Sequence, residues 1–135
     1  MNWIRCILAW LFIIAVSVPS AWAVNYRQDV TLKAKTVNAL GTPVPAAGYA
    51  VASFQVCCGA FTGTISFMAS LDGTNFEPLG CIPITDNPYL ATPVTTATAK
   101  GIWRCDTESI NTSLRADLSG YGAGTITVTI MQSTR

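Results

Sequence analysis

The chain contains no histidine. That removes the side chain on which most acid–base catalysis near neutral pH rests, and with it the usual Ser–His and Cys–His nucleophile pairs. Charge is scarce too, at 11% of residues. A surface this neutral exerts no electrostatic pull on nucleic acid or on an anionic membrane, and it offers little repulsion against self-association. A phosphate-binding loop is also missing. The glycine-rich stretch Gly120 to Gly124 lies between two alternating runs and lacks the lysine and helix start that such a loop needs. Beyond residue 23 there is no long apolar run, and a 3.6-residue periodicity is hard to find anywhere in the chain.

The first 23 residues are of a different kind. Arg5 supplies a positive charge, Ile7 to Val16 are apolar without a break, Pro19 and Ser20 end the run, and Ala21-Trp22-Ala23 places small residues three and one before a cut. This is the build of a secretory signal helix cleaved after Ala23, and the run is shorter than the roughly 20 residues of a membrane span. Removing 23 of 135 residues leaves 112, enough chain for one domain (24–135) around one core. Of the eight Lys and Arg, Arg5 goes with the leader, so seven face seven Asp and Glu and the remainder is formally neutral. The expected location is secreted, periplasmic or extracellular, with no membrane attachment after cleavage.

Cleavage also removes Cys6 and leaves Cys57, Cys58, Cys81 and Cys105. An even number in an exported chain reads as two disulfides. A bond between the adjacent Cys57 and Cys58 strains the usual disulfide geometry, so each is expected to reach a different partner among Cys81 and Cys105. Zinc is disfavoured because histidine is missing and Cys57-Cys58 lacks a spacer.

What is abundant is two-residue alternation. Thr125 to Ile130, Thr64 to Leu71, Ser113 to Ser119 and Ser53 to Cys58 each place apolar and polar residues on opposite sides, the pattern of a strand with one buried face. Ile102 to Asp106 and Val30 to Val37 are further strands, the latter with Val30, Leu32 and Ala34 on one side. Turns fall about every 8 to 12 residues, which predicts an all-β antiparallel sandwich, jelly-roll or immunoglobulin-like, of six to eight short strands. The expected core is Phe54, Val56, Ile65, Phe67, Leu71, Leu114, Leu118, Ile126, Val128 and Ile130. Gly120 to Gly124 is expected as a hairpin loop, and Pro83 to Ala99, with three prolines, as a surface excursion.

Ser70 to Gly80 gathers Asp72, Asn75 and Glu77 around Gly73. Asp-Gly favours a hairpin turn, and the aspartate can bond its own backbone two residues on. The alternating oxygen ligands of a calcium loop are not there. With Tyr89 in the proline-rich stretch and Tyr121 in the glycine-rich one, Asp72, Asn75 and Glu77 make up the candidate binding surface. No cofactor or metal is expected. Asp106 and Glu108 are spaced to share a solvated strand face, so they do not suggest a glycosidase pair. Asn111-Thr112-Ser113 is a glycosylation sequon.

One resemblance covers about Ala60 to Ile130. Gly63-Thr64-Ile65-Ser66-Phe67, then Ser70-Leu71-Asp72-Gly73-Thr74-Asn75-Phe76-Glu77-Pro78-Leu79, a Thr-rich stretch, Gly101-Ile102-Trp103, and Leu114-Arg115 running through Ser119 and Tyr121 to Val128-Thr129-Ile130 come in an order that resembles a small β-sandwich module of tailed-bacteriophage virion proteins, including tail-fibre and head-decoration proteins. The leader and the cysteines depart from that pattern and suit an exported version of it. The resemblance implies a non-catalytic structural or surface-attachment module whose partners are other protein copies, as a homo-oligomer, or a virion or cell-surface component. The Asp-Gly turn alone is also similar to discoidin-like domains, which implies glycan binding as the alternative.

Overall fold

A computed structural model describes residues 25–57, 59–84, 93–107 and 113–134. These residues hold no helix. They form ten strands, of which six are long: β1 (Tyr26–Lys35), β3 (Val51–Cys57), β4 (Thr62–Ser70), β8 (Gly101–Asp106), β9 (Ser113–Ala123) and β10 (Ile126–Ser133). The remaining four, β2 (Val44–Pro45), β5 (Glu77–Pro78), β6 (Ile82–Pro83) and β7 (Thr96–Ala97), are two-residue edge pieces too short to leave an alternating signature. One sheet has the order β1-β10-β3-β8-β6 and the other β2-β9-β4-β5, with β7 also on β4, and every pair is antiparallel. The fold is the expected β-sandwich. The leader and Cys58, Tyr89, Glu108 and Asn111 lie outside the described residues.

The core sits where the alternation places it. Phe54 and Val56 of β3, Ile65 and Phe67 of β4, Leu114 and Leu118 of β9, and Ile126, Val128 and Ile130 of β10 are all buried between the sheets. Phe67 bridges them, its ring centroid 4.9 Å from Phe54 and 5.5 Å from Trp103 of the opposite sheet, both tilted. Such aromatic contacts add to the gain from burial alone.

Three expectations fail for local reasons. Leu71 is 65% exposed, because the chain leaves the sheet after Ser70 and the alternation stops one residue earlier than its letters suggest. In β1 the register slips between Val30 and Leu32 and again between Leu32 and Lys35. Those bulges bury Thr31 and Leu32 together, expose Val30, and leave Ala34 exposed at φ 46°. An extra residue shifts every later side chain to the other face. Finally, Gly120 to Gly124 does not close a hairpin. β9 pairs with β2 and β4 while β10 pairs with β1 and β3, so this stretch carries the chain from one sheet to the other. Gly124, at φ +93°, makes that corner, and a β-carbon added there would lie 2.5 Å from the Ala60 oxygen and 2.9 Å from the Phe61 Cα, so a side chain does not fit.

Thr31 stitches the two sheets along one side. Its buried hydroxyl donates to the Thr42 carbonyl at 2.9 Å and accepts from the Ala116 amide at 3.1 Å, while Gly41 N–H donates to Asp117 Oδ1 at 3.0 Å. A β-carbon at Gly41 would lie 2.1 Å from the Ala116 oxygen and 2.3 Å from Thr31 Oγ1. Because one of those atoms is backbone, the segment must move. Gly41→Ala is expected to lower stability by about 2 kcal/mol, in the range of overpacked sites, with Gly48→Ala, which meets no neighbour but has positive φ, as the comparison in urea unfolding.

Candidate functional site

The expected hairpin is present. β4 turns through residues 71–76 into β5, with Met68 opposite Pro78 and Ala69 opposite Glu77. Its tip is organised by one carboxylate. Asp72 Oδ1 accepts the Thr74 and Asn75 amides, each at 2.8 Å, and the Ser70 hydroxyl at 2.9 Å; Asp72 Oδ2 accepts Asn75 Nδ2 at 2.6 Å. Ser70 Oγ in turn accepts the Gly73 amide at 2.8 Å, and Gly73 takes φ +76°, a conformation glycine adopts without steric cost. Four donors converge on an exposed group, so Asp72 serves its own turn.

These donors, led by the Asn75 and Thr74 amides, hold the Asp72 carboxyl well below the usual carboxylate range. Its folded pKa lies below its unfolded one, so its contribution to stability is complete above the ordinary carboxylate pKa of about 4 and declines as pH falls below it. Asp72→Ala is expected to flatten the acid limb of the melting-temperature profile, with the variant and parent curves converging at low pH. Parallel curves would overturn this role.

The same hairpin borders a cleft of about 470 Å³ lined by Ala69, Ser70, Leu71, Asp72, Asn75, Glu77, Pro78 and Leu79. The structure therefore brings Asp72, Asn75 and Glu77 together, with exposed Leu71 beside them. Tyr121 lies elsewhere. It stands near the Thr62 end of β4, where Thr62 pairs with Ala123, whereas the hairpin leaves the Ser70 end. At about 3.3 Å per residue the two are roughly 25 Å apart. Tyr121 OH donates to the Gly124 carbonyl at 2.7 Å, and its amide donates to Asn38 Oδ1 at 2.8 Å, which ties it to the corner between sheets.

A contact unseen in the sequence fixes the hairpin against its sheet. The Arg115 guanidinium lies 4.0 Å from the Phe76 ring centroid and pairs with Asp117 at 3.0 Å, which also receives the Gly41 amide. The Arg115 and Asp117 side chains are only 18% and 15% exposed. Phe76 thus covers the outer face of its sheet and does not enter the core. The spacing of Arg115 and Asp117 shows that they share a face, but nothing in it points to Phe76.

The cysteines pair otherwise than expected. Cys81 is bonded to Cys105, with Cα atoms 4.3 Å apart. The pairing of β6 with β8, Ile82 opposite Arg104, sets these two directly opposite one another. Cys57 cannot reach Cys105: on β3 it is Ala52 that faces Cys105, and Cys57 lies five residues further along, roughly 17 Å away. Cys57 is itself disulfide-bonded, to a partner outside the described residues. A second cleft of about 460 Å³ adjoins β6, lined by Gly80, Ile82, Pro83, Ile84, Pro93, Arg104 and Asp106. Among the described residues no cluster of His, Cys, Asp and Glu is arranged to hold a metal ion.

No protein-family model matches the chain, and no curated protein sequence does. Solved structures do. The fold is similar to that of the SPBc2 prophage-derived protein YomS, with a TM-score of 0.74 and 12% identity over 84% of this chain and 96% of that one. It is also similar to the PBSX exported protein XepA, with a TM-score of 0.72 and 16% identity over 84% of this chain and 39% of that one. At these identities the likeness is one of fold. Both neighbours are phage-derived, in keeping with the resemblance carried by the motifs between Ala60 and Ile130.

Proposed function

We propose that this protein is a non-catalytic, phage-related structural module that leaves the cytoplasm and acts by packing against other proteins. The observation that carries this reading is the sandwich it shares, over 84% of its length, with two phage-derived proteins, one of them named as exported. The internal engagement of Asp72 also supports it, because the most organised carboxylate of the candidate surface is occupied by its own turn. An epitope-tagged copy expressed in its own genomic setting should sediment with assembled particles or with the cell envelope and be labelled there by immunogold. A protein found free of both would overturn the reading.

The glycan alternative rests on the hairpin cleft, where Leu71, Asn75 and Glu77 offer an apolar surface beside polar groups. Tyr121 cannot join that site as a stacking platform at its distance. A glycan array that stays blank for the parent protein removes this alternative and leaves the structural reading intact.

A further inference from the structure

Among the described residues, every edge of the two sheets but one is closed to pairing. β2, β5 and β6 are two residues long and each carries a proline, at Pro45, Pro78 and Pro83, and β7 is equally short. Short, proline-bearing edges offer too few amide donors to template another strand. β1 is the exception: ten residues, without proline, at the end of its sheet. Its second half is covered where Thr42 N–H bonds to the Thr31 carbonyl, so the open part is Tyr26 to Val30.

The direction of the free groups follows from the pairing with β10. Thr134 N–H donates to the Asn25 carbonyl, which turns the amide groups of Asn25, and by alternation those of Arg27 and Asp29, toward β10. The N–H and C=O of Tyr26, Gln28 and Val30 therefore point away from the sheet. On the outer face the side chains of Tyr26 and Val30 are 74% and 44% exposed, and on the other face Arg27 and Asp29 form an ion pair.

We propose that two copies of this chain pair antiparallel along Tyr26 to Val30, with Gln28 on the two-fold axis, and join their sheets into one of ten strands. This narrows the protein-packing reading above to one surface and one register. Charges on an edge usually guard against pairing; here their sequence selects the register. Only pairings between Tyr26, Gln28 and Val30 match free donors to free acceptors. Moving the axis by one residue places Arg27 against Arg27 or Asp29 against Asp29. With Gln28 on the axis, each Arg27 faces the partner's Asp29 and each Tyr26 the partner's Val30. All three outward-facing residues of each copy are then hydrogen-bonded, and both charge pairs are opposite in sign. Like charges directly opposite one another oppose such pairing, and opposite charges favour it. A two-fold contact of this kind closes at two copies.

Sedimentation velocity of the full-length protein at micromolar to near-millimolar concentration should show a dimer. Arg27→Glu alone sets Glu against Asp29, and Asp29→Arg alone sets Arg against Arg27, so each variant should sediment as a monomer with an unchanged circular-dichroism spectrum. Mixing the two variants should restore a dimer, because each faces its complement although neither regains its internal ion pair. A monomeric parent, single variants that stay dimeric, or a mixture that stays monomeric would each overturn the proposal. A monomer that still sediments with particles or envelope would sink the dimer and spare the packing function.

Discussion

Replacing Phe67 by alanine is expected to lower the unfolding free energy by about 3 to 5 kcal/mol, the range for a large aromatic lost from a core. Phe67 is fully buried and its ring contacts both Phe54 and Trp103, so its removal opens a void on an interior strand of one sheet and strips contacts from two strands of the other. Small domains hold a margin of about 5 to 15 kcal/mol, so the loss takes a large part of it. At about 4 °C per kcal/mol for a domain near 100 residues, the melting temperature should fall by roughly 12 to 20 °C. Thr64→Ala, on the outer face of the same strand, should stay within about 0.5 kcal/mol. Equal losses at the two positions would mean that the faces of β4 are misassigned.

Removing the Cys81–Cys105 bond by replacing both residues with alanine should cost about 3.5 kcal/mol. That figure follows from the loop-closure entropy of a cross-link separated by 24 residues. Both cysteines are fully buried, and the bond ties β6, the proline-bearing edge, to β8, the strand beside it in the same sheet. The double variant is the appropriate comparison, since a reductant would also open the bond of Cys57. Urea unfolding should show a lower midpoint, and a non-reduced proteolytic digest of the parent should yield one linked peptide containing Cys81 and Cys105. A linked peptide joining Cys57 to either of them would contradict the strand register itself.

The cysteine pairing marks the limit of what a linear reading can supply. Which face a residue takes depends on its neighbours two positions away, so the inward sets Phe54 and Val56, Ile65 and Phe67, Leu114 and Leu118, and Ile126 to Ile130 could be read directly from the letters. The Asp72 turn was legible for the same reason: its bonds run to residues two and three positions on. Leu71, the β1 bulges and the corner at Gly124 were not, because where a strand stops, slips or changes sheets depends on what it packs against.

Local alternation and turn chemistry determined that this chain forms a two-layered antiparallel sandwich, and they named most of its core. Only the tertiary structure decided which strands lie side by side and in what register. That order placed Cys81 against Cys105, set Arg115 on Phe76, separated Tyr121 from the hairpin and left the edge of β1 unpaired among the described residues. The physical reason is that side-chain direction is a property of one strand, whereas register is a relation between two, set by contacts between residues far apart in the chain.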